Sequence, residues 1–136
     1  MNVELTPKQY RRLLDLVYIG NWILNSARGA DRLHDYDMVE SYLFGKSGEF
    51  NMPTLTEHVA GVPVPSRAFA EGGIHEAIMD YEDTVFYGIL AEELAHRDMI
   101  TLGKAEEPGE LSSRINAYIT EFEKNGLANI LVDTDI

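Results

Sequence analysis

Apolar positions recur at helical spacing along most of the chain, and the first helix has the clearest boundaries. Thr6 is placed to cap it with its hydroxyl, Pro7 stands at the first helical position where its missing N–H costs nothing, and Gln9 completes a capping box. Leu5 and Tyr10 flank this start as a hydrophobic staple. The spacing predicts a helix to about Arg28, whose charge complements the helix dipole, with Gly29 as a left-handed stop. Tyr10, Leu13, Leu14, Val17 and Leu24 share one face, opposite Lys8, Arg11, Arg12 and Asp15. In the second half that division fails. Ile19 and Trp22 fall on the side that was polar two turns earlier, so residues 16–24 are apolar nearly all round. Such a helix is either central in its own bundle or shares its extra face with another chain, which makes Ile19, Trp22 and Ile23 the candidates for an interface.

A second helix is expected from Asp31, as cap, to Phe44, burying Leu33, Tyr36, Val39 and Leu43 and ending at Gly45. From Glu49 to Gly73 turn residues accumulate (Pro53, Gly61, Pro63, Pro65, Gly72, Gly73). Short helical turns are expected within 50–73, one capped by Thr54 with Glu57 three residues on, another from Ser66 through Phe69. Residues 74–100 read as one helix or two. Ile74 and Ile78 share one face, Phe86, Leu90 and Leu94 another, and a break near Asp80–Asp83, with either aspartate as cap, reconciles them. After a turn over Gly103–Gly109, Leu111, Ile115, Tyr118, Ile119 and Phe122 mark a last helix closed by Lys124 and Gly126. The tail from Leu127 to Ile136 is expected to be extended or to add a short strand. The expected fold is therefore all-α: one domain over 1–136, a small bundle of four to five main helices with helical turns in 50–73 and an extended C-terminal tail. At 136 residues such a chain can bury a real core.

Charge narrows the partners. Residues 1–32 hold five basic side chains against three acidic, and the other 104 residues hold six against twenty. Between Arg67 and Arg97 stand seven carboxylates, two histidines and no lysine or arginine. So negative a chain repels phosphate backbones and anionic membranes, so neither nucleic acid nor membrane is an expected partner. There is no cysteine, hence no disulfide, thiolate metal site or cysteine nucleophile. The apolar run Leu13–Leu24 follows basic residues in the manner of a secretory signal. Asp15 and Asn21 interrupt it, and it falls well short of the ~20 residues needed to span a bilayer. The location expected is cytoplasmic.

One constellation has the spacing of a metal site. Glu93-Leu94-Ala95-His96 and Asp31-Arg32-Leu33-His34 each turn a carboxylate and an imidazole to the same side of a helix, and Glu40 or Glu82 would add a further oxygen ligand for iron, manganese or zinc. Against it, His96 points away from the Phe86–Leu90–Leu94 stripe and His34 away from Leu33–Val39–Leu43. No metal ligand and no cofactor is therefore assigned, and a metal-dependent helical enzyme stands as the alternative reading. His75-Glu76 beside Asp80, and His58 beside Glu57, are neighbours in sequence that do not face each other on a helix. No phosphate loop, dinucleotide fingerprint or serine elbow occurs, and no catalytic residue is assigned. Arg97-Asp98 reads as an ion pair near a helix end. The leading reading is a non-enzymatic interaction domain that forms a homodimer, or binds another protein, through its first helix.

Overall fold

The computed structural model describes residues 1–103 and 107–135. It is mostly helical, with one two-stranded antiparallel sheet, so the all-α expectation needs amending. In chain order the elements are α1 (Pro7–Asn25), α2 (His34–Phe44), β1 (Thr56–Val59), β2 (Val62–Pro65), α3 (Arg67–Phe69), α4 (His75–Thr101) and α5 (Pro108–Asn125). Short 3₁₀ turns occupy Ser47–Phe50 and Pro53–Leu55, and a wide π-type turn joins α3 to α4. The chain forms two compact units, Met1–Ile78 and Met79–Ile136, whose boundary falls within α4. Among the described residues no helix is long and apolar enough to cross a membrane.

In the first unit α1 begins as expected. The Thr6 hydroxyl accepts from the Gln9 amide at 3.2 Å and the Gln9 side chain accepts from the Thr6 amide at 2.9 Å. It ends earlier than expected, at Asn25, and Gly29 is not left-handed. The cause is Asn25 itself, whose side chain turns to bond the backbone of Leu33. Arg28 still serves the helix end, donating to the Leu24 carbonyl at 2.7 Å.

Asp31 does not cap α2. It accepts from the Gly29 amide and from Arg28, and α2 starts three residues later at His34 with no side-chain cap. The expected buried stripe holds only in part: Leu33 and Leu43 are half-buried, Leu43 against the core, but Tyr36 and Val39 are exposed, and Asp37, Glu40, Ser41 and Phe44 also turn inward. Their spacing is as helical as that of the apolar set. Asn21 on α1 and Arg32 just before α2 satisfy Asp37, so hydrophobicity alone picks the wrong residues for part of this face.

The helical turn expected at Thr54 is the 3₁₀ turn Pro53–Leu55, without Thr54 as its cap, and from Thr56 to Pro65 the chain forms a hairpin. Thr56 pairs with Pro65 and Val59 with Val62, which leaves a two-residue loop of Ala60 and Gly61, both at positive φ (50° and 79°). That is the turn whose twist matches paired strands. The Thr56 hydroxyl donates to the Phe44 carbonyl and accepts from Ser47, which fastens the hairpin to the end of α2. Gly45 is needed there for space: a Cβ would lie 3.2 Å from the Pro63 ring. Ser66 caps α3 through the Phe69 amide, as its sequence predicts. Together these elements enclose a core of Tyr10, Leu14, Phe44, Phe69 and Ile74, with Tyr10 stacked on Phe50 and its hydroxyl donating to the Leu43 carbonyl at 2.6 Å.

α4 is one unbroken helix, so neither Asp80 nor Asp83 is a cap. No glycine or proline interrupts residues 74–87, and the change of apolar face marks the passage from one unit to the other. In the second unit Ala91, Ala95, Met99 and Phe122 are buried. α5 closes at Gly126 as expected. Arg97 and Asp98 do pair, at 2.8 Å, and Asp98 also accepts from the Tyr118 hydroxyl. After a turn over 126–129 the tail carries no strand among the described residues, and Leu131 and Val132 are exposed. The connection between α4 and α5 includes 104–106, which lie outside the described residues.

Candidate functional site: a polar pocket beside helix α1

The inward side of α1 is apolar for two turns and then carries Asn21 and Asn25, both buried. Asn25 accepts from the Leu33 amide at 2.8 Å and donates to the Leu33 carbonyl at 3.0 Å and to Asn21 at 2.6 Å. Asn21 donates in turn to Asp37 at 3.0 Å. Arg32 grips Asp37 through two N–H groups, at 2.6 and 2.7 Å. This arginine, with the Asn21 amide in support, holds the Asp37 carboxyl below the usual carboxylate range. A chain of amides and charges thus replaces apolar packing where α1 meets α2, and every member has a partner, which a buried polar network requires.

One turn beyond Asp37, Glu40 is in the opposite situation. Burial raises its pKa; the Asn21 amide opposes this, the Asp37 charge adds to it, and Arg32 opposes it again. Glu40 borders a pocket of about 260 Å³ whose walls include Tyr18, Trp22, Arg32, Pro65 and Ala70. Tyr18 and Trp22 lie with ring centroids 6.3 Å apart and planes 18° from parallel. The Tyr18 oxygen is 2.6 Å from His75 Nε2. Burial, and then the Glu40 charge, raise the Tyr18 pKa, so the phenol keeps its proton in this hydrogen bond, whose direction follows the His75 tautomer. The His75 and Trp22 rings lie nearly perpendicular with centroids 4.7 Å apart. Such a site presents a carboxylate, amides and aromatic faces. These groups are suited to holding a ligand, and the phenol is not activated as a nucleophile.

α1 also has an open side. Leu13, Leu16, Gly20, Ile23 and Leu24 follow one another at intervals of three, four, three and one, which places them on a single stripe away from Asn21 and Asn25. Leu16 is 68% exposed and Ile23 64%. Gly20 stands in the middle of the stripe, and a Cβ added to it would meet nothing within 4 Å.

The three interface candidates from the sequence therefore separate. Ile19 is half-buried against the core, Trp22 packs on Tyr18 and His75 at the pocket, and Ile23 lies on the open stripe. The four residues of the metal reading fall two in each unit, Asp31 and His34 in the first and Glu93 and His96 in the second. Asp31 is engaged with Gly29 and Arg28, His34 lies 3.7 Å from Asp37, Glu93 is exposed and His96 half-buried. No group of three or more histidine, aspartate or glutamate side chains is disposed to hold a metal among the described residues. Glu40, considered only as a spare ligand, is a wall of the pocket. Tyr18, Asn21, Asn25, Arg32 and Asp37 are not legible as site residues from the sequence, and His75 is legible only as a neighbour of Glu76. The available signal was a pair of asparagines one turn apart in an otherwise apolar helix, facing an Asp-x-x-Glu on the next.

Comparison with known proteins gives no matching family model, no matching curated protein and no matching solved structure. The fold and site define a small acidic, mostly helical protein whose helix α1 borders a polar, aromatic-walled pocket on one side and carries an open apolar stripe on another.

Proposed function

We propose that this chain is a protein-interaction module that self-associates through the open side of α1. Gly20 carries the proposal. Glycine inside a helix costs about 1 kcal/mol relative to alanine, and with nothing within 4 Å of a Cβ there its own chain gives no reason to forgo a side chain. A glycine flanked by Leu13, Leu16, Ile23 and Leu24 lets a second helix approach closely, and a two-fold axis near Gly20 would set the same patch against itself, the commonest solution for a soluble oligomer. Trp22 is a less apt anchor than Leu16 and Ile23, because its ring already packs on Tyr18 and His75.

Gel filtration with light scattering tests this. The wild type is expected at twice 15.3 kDa, and Leu16→Glu or Ile23→Glu at the monomer mass with an unchanged circular dichroism spectrum. A wild type that runs as a monomer at ~100 µM, where a micromolar dimer would be assembled, refutes the reading.

A further inference from the structure

Glu40 is the one charged wall of the α1 pocket that lacks a counter-charge of its own. Arg32, the nearest cation, already gives two bonds to Asp37, and among the described residues no ion pair reaches Glu40. The aspartate and arginine neutralise each other, which leaves the pocket with the glutamate's single negative charge. Tyr18 and Trp22 are walls of the same pocket, and an aromatic face attracts a cation, tryptophan most strongly. A half-buried carboxylate beside stacked aromatic rings in a concave space is a combination that a positive ligand satisfies and others do not. An anion would meet the Glu40 charge, while the Arg32 charge is already matched by Asp37. A neutral molecule would leave the carboxylate without its counter-charge. We propose that this pocket binds a compact organic monocation, an ammonium or guanidinium group on a short apolar stem. Its volume of about 260 Å³ lies just under the 300–1,000 Å³ typical of sites for drug-sized ligands, so the ligand is small. The apolar stem rests on Pro65 and Ala70 while the charged head reaches Glu40. Trp22 is not on the Leu16–Gly20–Ile23 stripe, so the site does not depend on self-association.

Trp22 is the only tryptophan in the chain, and its emission reports on the pocket directly. The test is a fluorescence titration at neutral pH and constant ionic strength with n-butylammonium and n-butylguanidinium, and with 1-butanol and butyrate as neutral and anionic counterparts. The expected result is a saturable change with the two cations below ~10 mM and none with the counterparts. Acetylated lysine amide and arginine amide form a second arm. Tighter binding of these than of the alkyl cations identifies a side chain presented by a polypeptide as the natural source, and the reverse identifies a free amine. Glu40→Gln should weaken binding at least tenfold, the lower range for a hydrogen bond to a charged group. It should also melt no lower than the wild type, because burial already opposes the charge it removes. Ala70→Leu, which fills the pocket without touching its charge, should abolish the response as well. Absence of saturation with every cation, an equal response to 1-butanol, or an affinity unchanged in folded Glu40→Gln overturns the proposal.

Discussion

Asn25 is one side chain with three hydrogen bonds across 2.6–3.0 Å, two of them to the backbone of a residue eight positions later. It ends α1 and fixes the start of α2 together. Asn25→Leu keeps roughly the same bulk and leaves the Leu33 amide and carbonyl without partners, which should cost about 2–3 kcal/mol given the penalty for buried unsatisfied groups. Urea titration followed by circular dichroism measures this, and a loss below ~1 kcal/mol would mean that water replaces those bonds. In the second unit Asp98 has the corresponding part. The Tyr118 hydroxyl first, then Arg97, hold its carboxyl below the ordinary aspartate value. A carboxyl whose pKa is lowered on folding contributes stability that is present above its unfolded pKa, near pH 4, and is lost as pH falls through the folded value. The Tyr118 phenol is raised, Asp98 being the largest cause. Its contribution is present below the unfolded value near pH 10 and is lost as pH climbs through the folded one. Tyr118→Phe should therefore flatten both the acid and the alkaline limbs of a plot of melting temperature against pH. Unchanged limbs would assign them to other groups.

For the elements, legibility depended on whether the side chains facing inward were apolar. The Thr6–Gln9 box, the Ser66 cap and the Gly126 stop follow from short-range chemistry that a linear sequence displays in full. α2 was misread because Asp37 and Glu40 are the residues that face α1, and only the distant Asn21 and Arg32 make that tolerable. The same hidden pairing concealed the pocket, since Asn21 counts as an interruption of an apolar helix until its partner is known. The hairpin was missed because its turn reads Ala60-Gly61 rather than Asn-Gly. Alanine at φ 50° costs about 1–2 kcal/mol in the left-handed region, so Ala60→Asn should stabilise by about 1 kcal/mol, visible as a melting temperature several degrees higher. Gly20→Ala separates two descriptions of α1. In a monomer it should stabilise by about 1 kcal/mol through helix propensity alone, whereas in the proposed dimer it should weaken association by obstructing the close approach.

Charge matters at the scale of the whole molecule. Of the seven carboxylates between Arg67 and Arg97, Glu71 pairs with Arg67 at 2.7 Å. Glu76, Asp80, Glu82, Asp83, Glu92 and Glu93 make no ion pair among the described residues. Their mutual repulsion along one helix should be relieved by screening, so sodium chloride at ~0.5 M should raise the melting temperature modestly relative to low salt, the Debye length being about 10 Å at 0.1 M. A melting temperature that falls with salt would assign the net effect to the attractive pairs, such as Arg32–Asp37.

The unbroken course of α4 has a consequence for how the protein comes apart. Residues 79–84 are all exposed, so this turn and a half rests mainly on its own backbone ladder, and isolated helical turns are marginal in water. Aspartates and a threonine, poor helix formers, make up half of it. Local opening should be cheapest here: amide hydrogens of 80–84 should exchange with deuterium well before those of Leu14 or Met99. A glutamate-specific protease should cut first after Glu82, releasing two fragments of 82 and 54 residues.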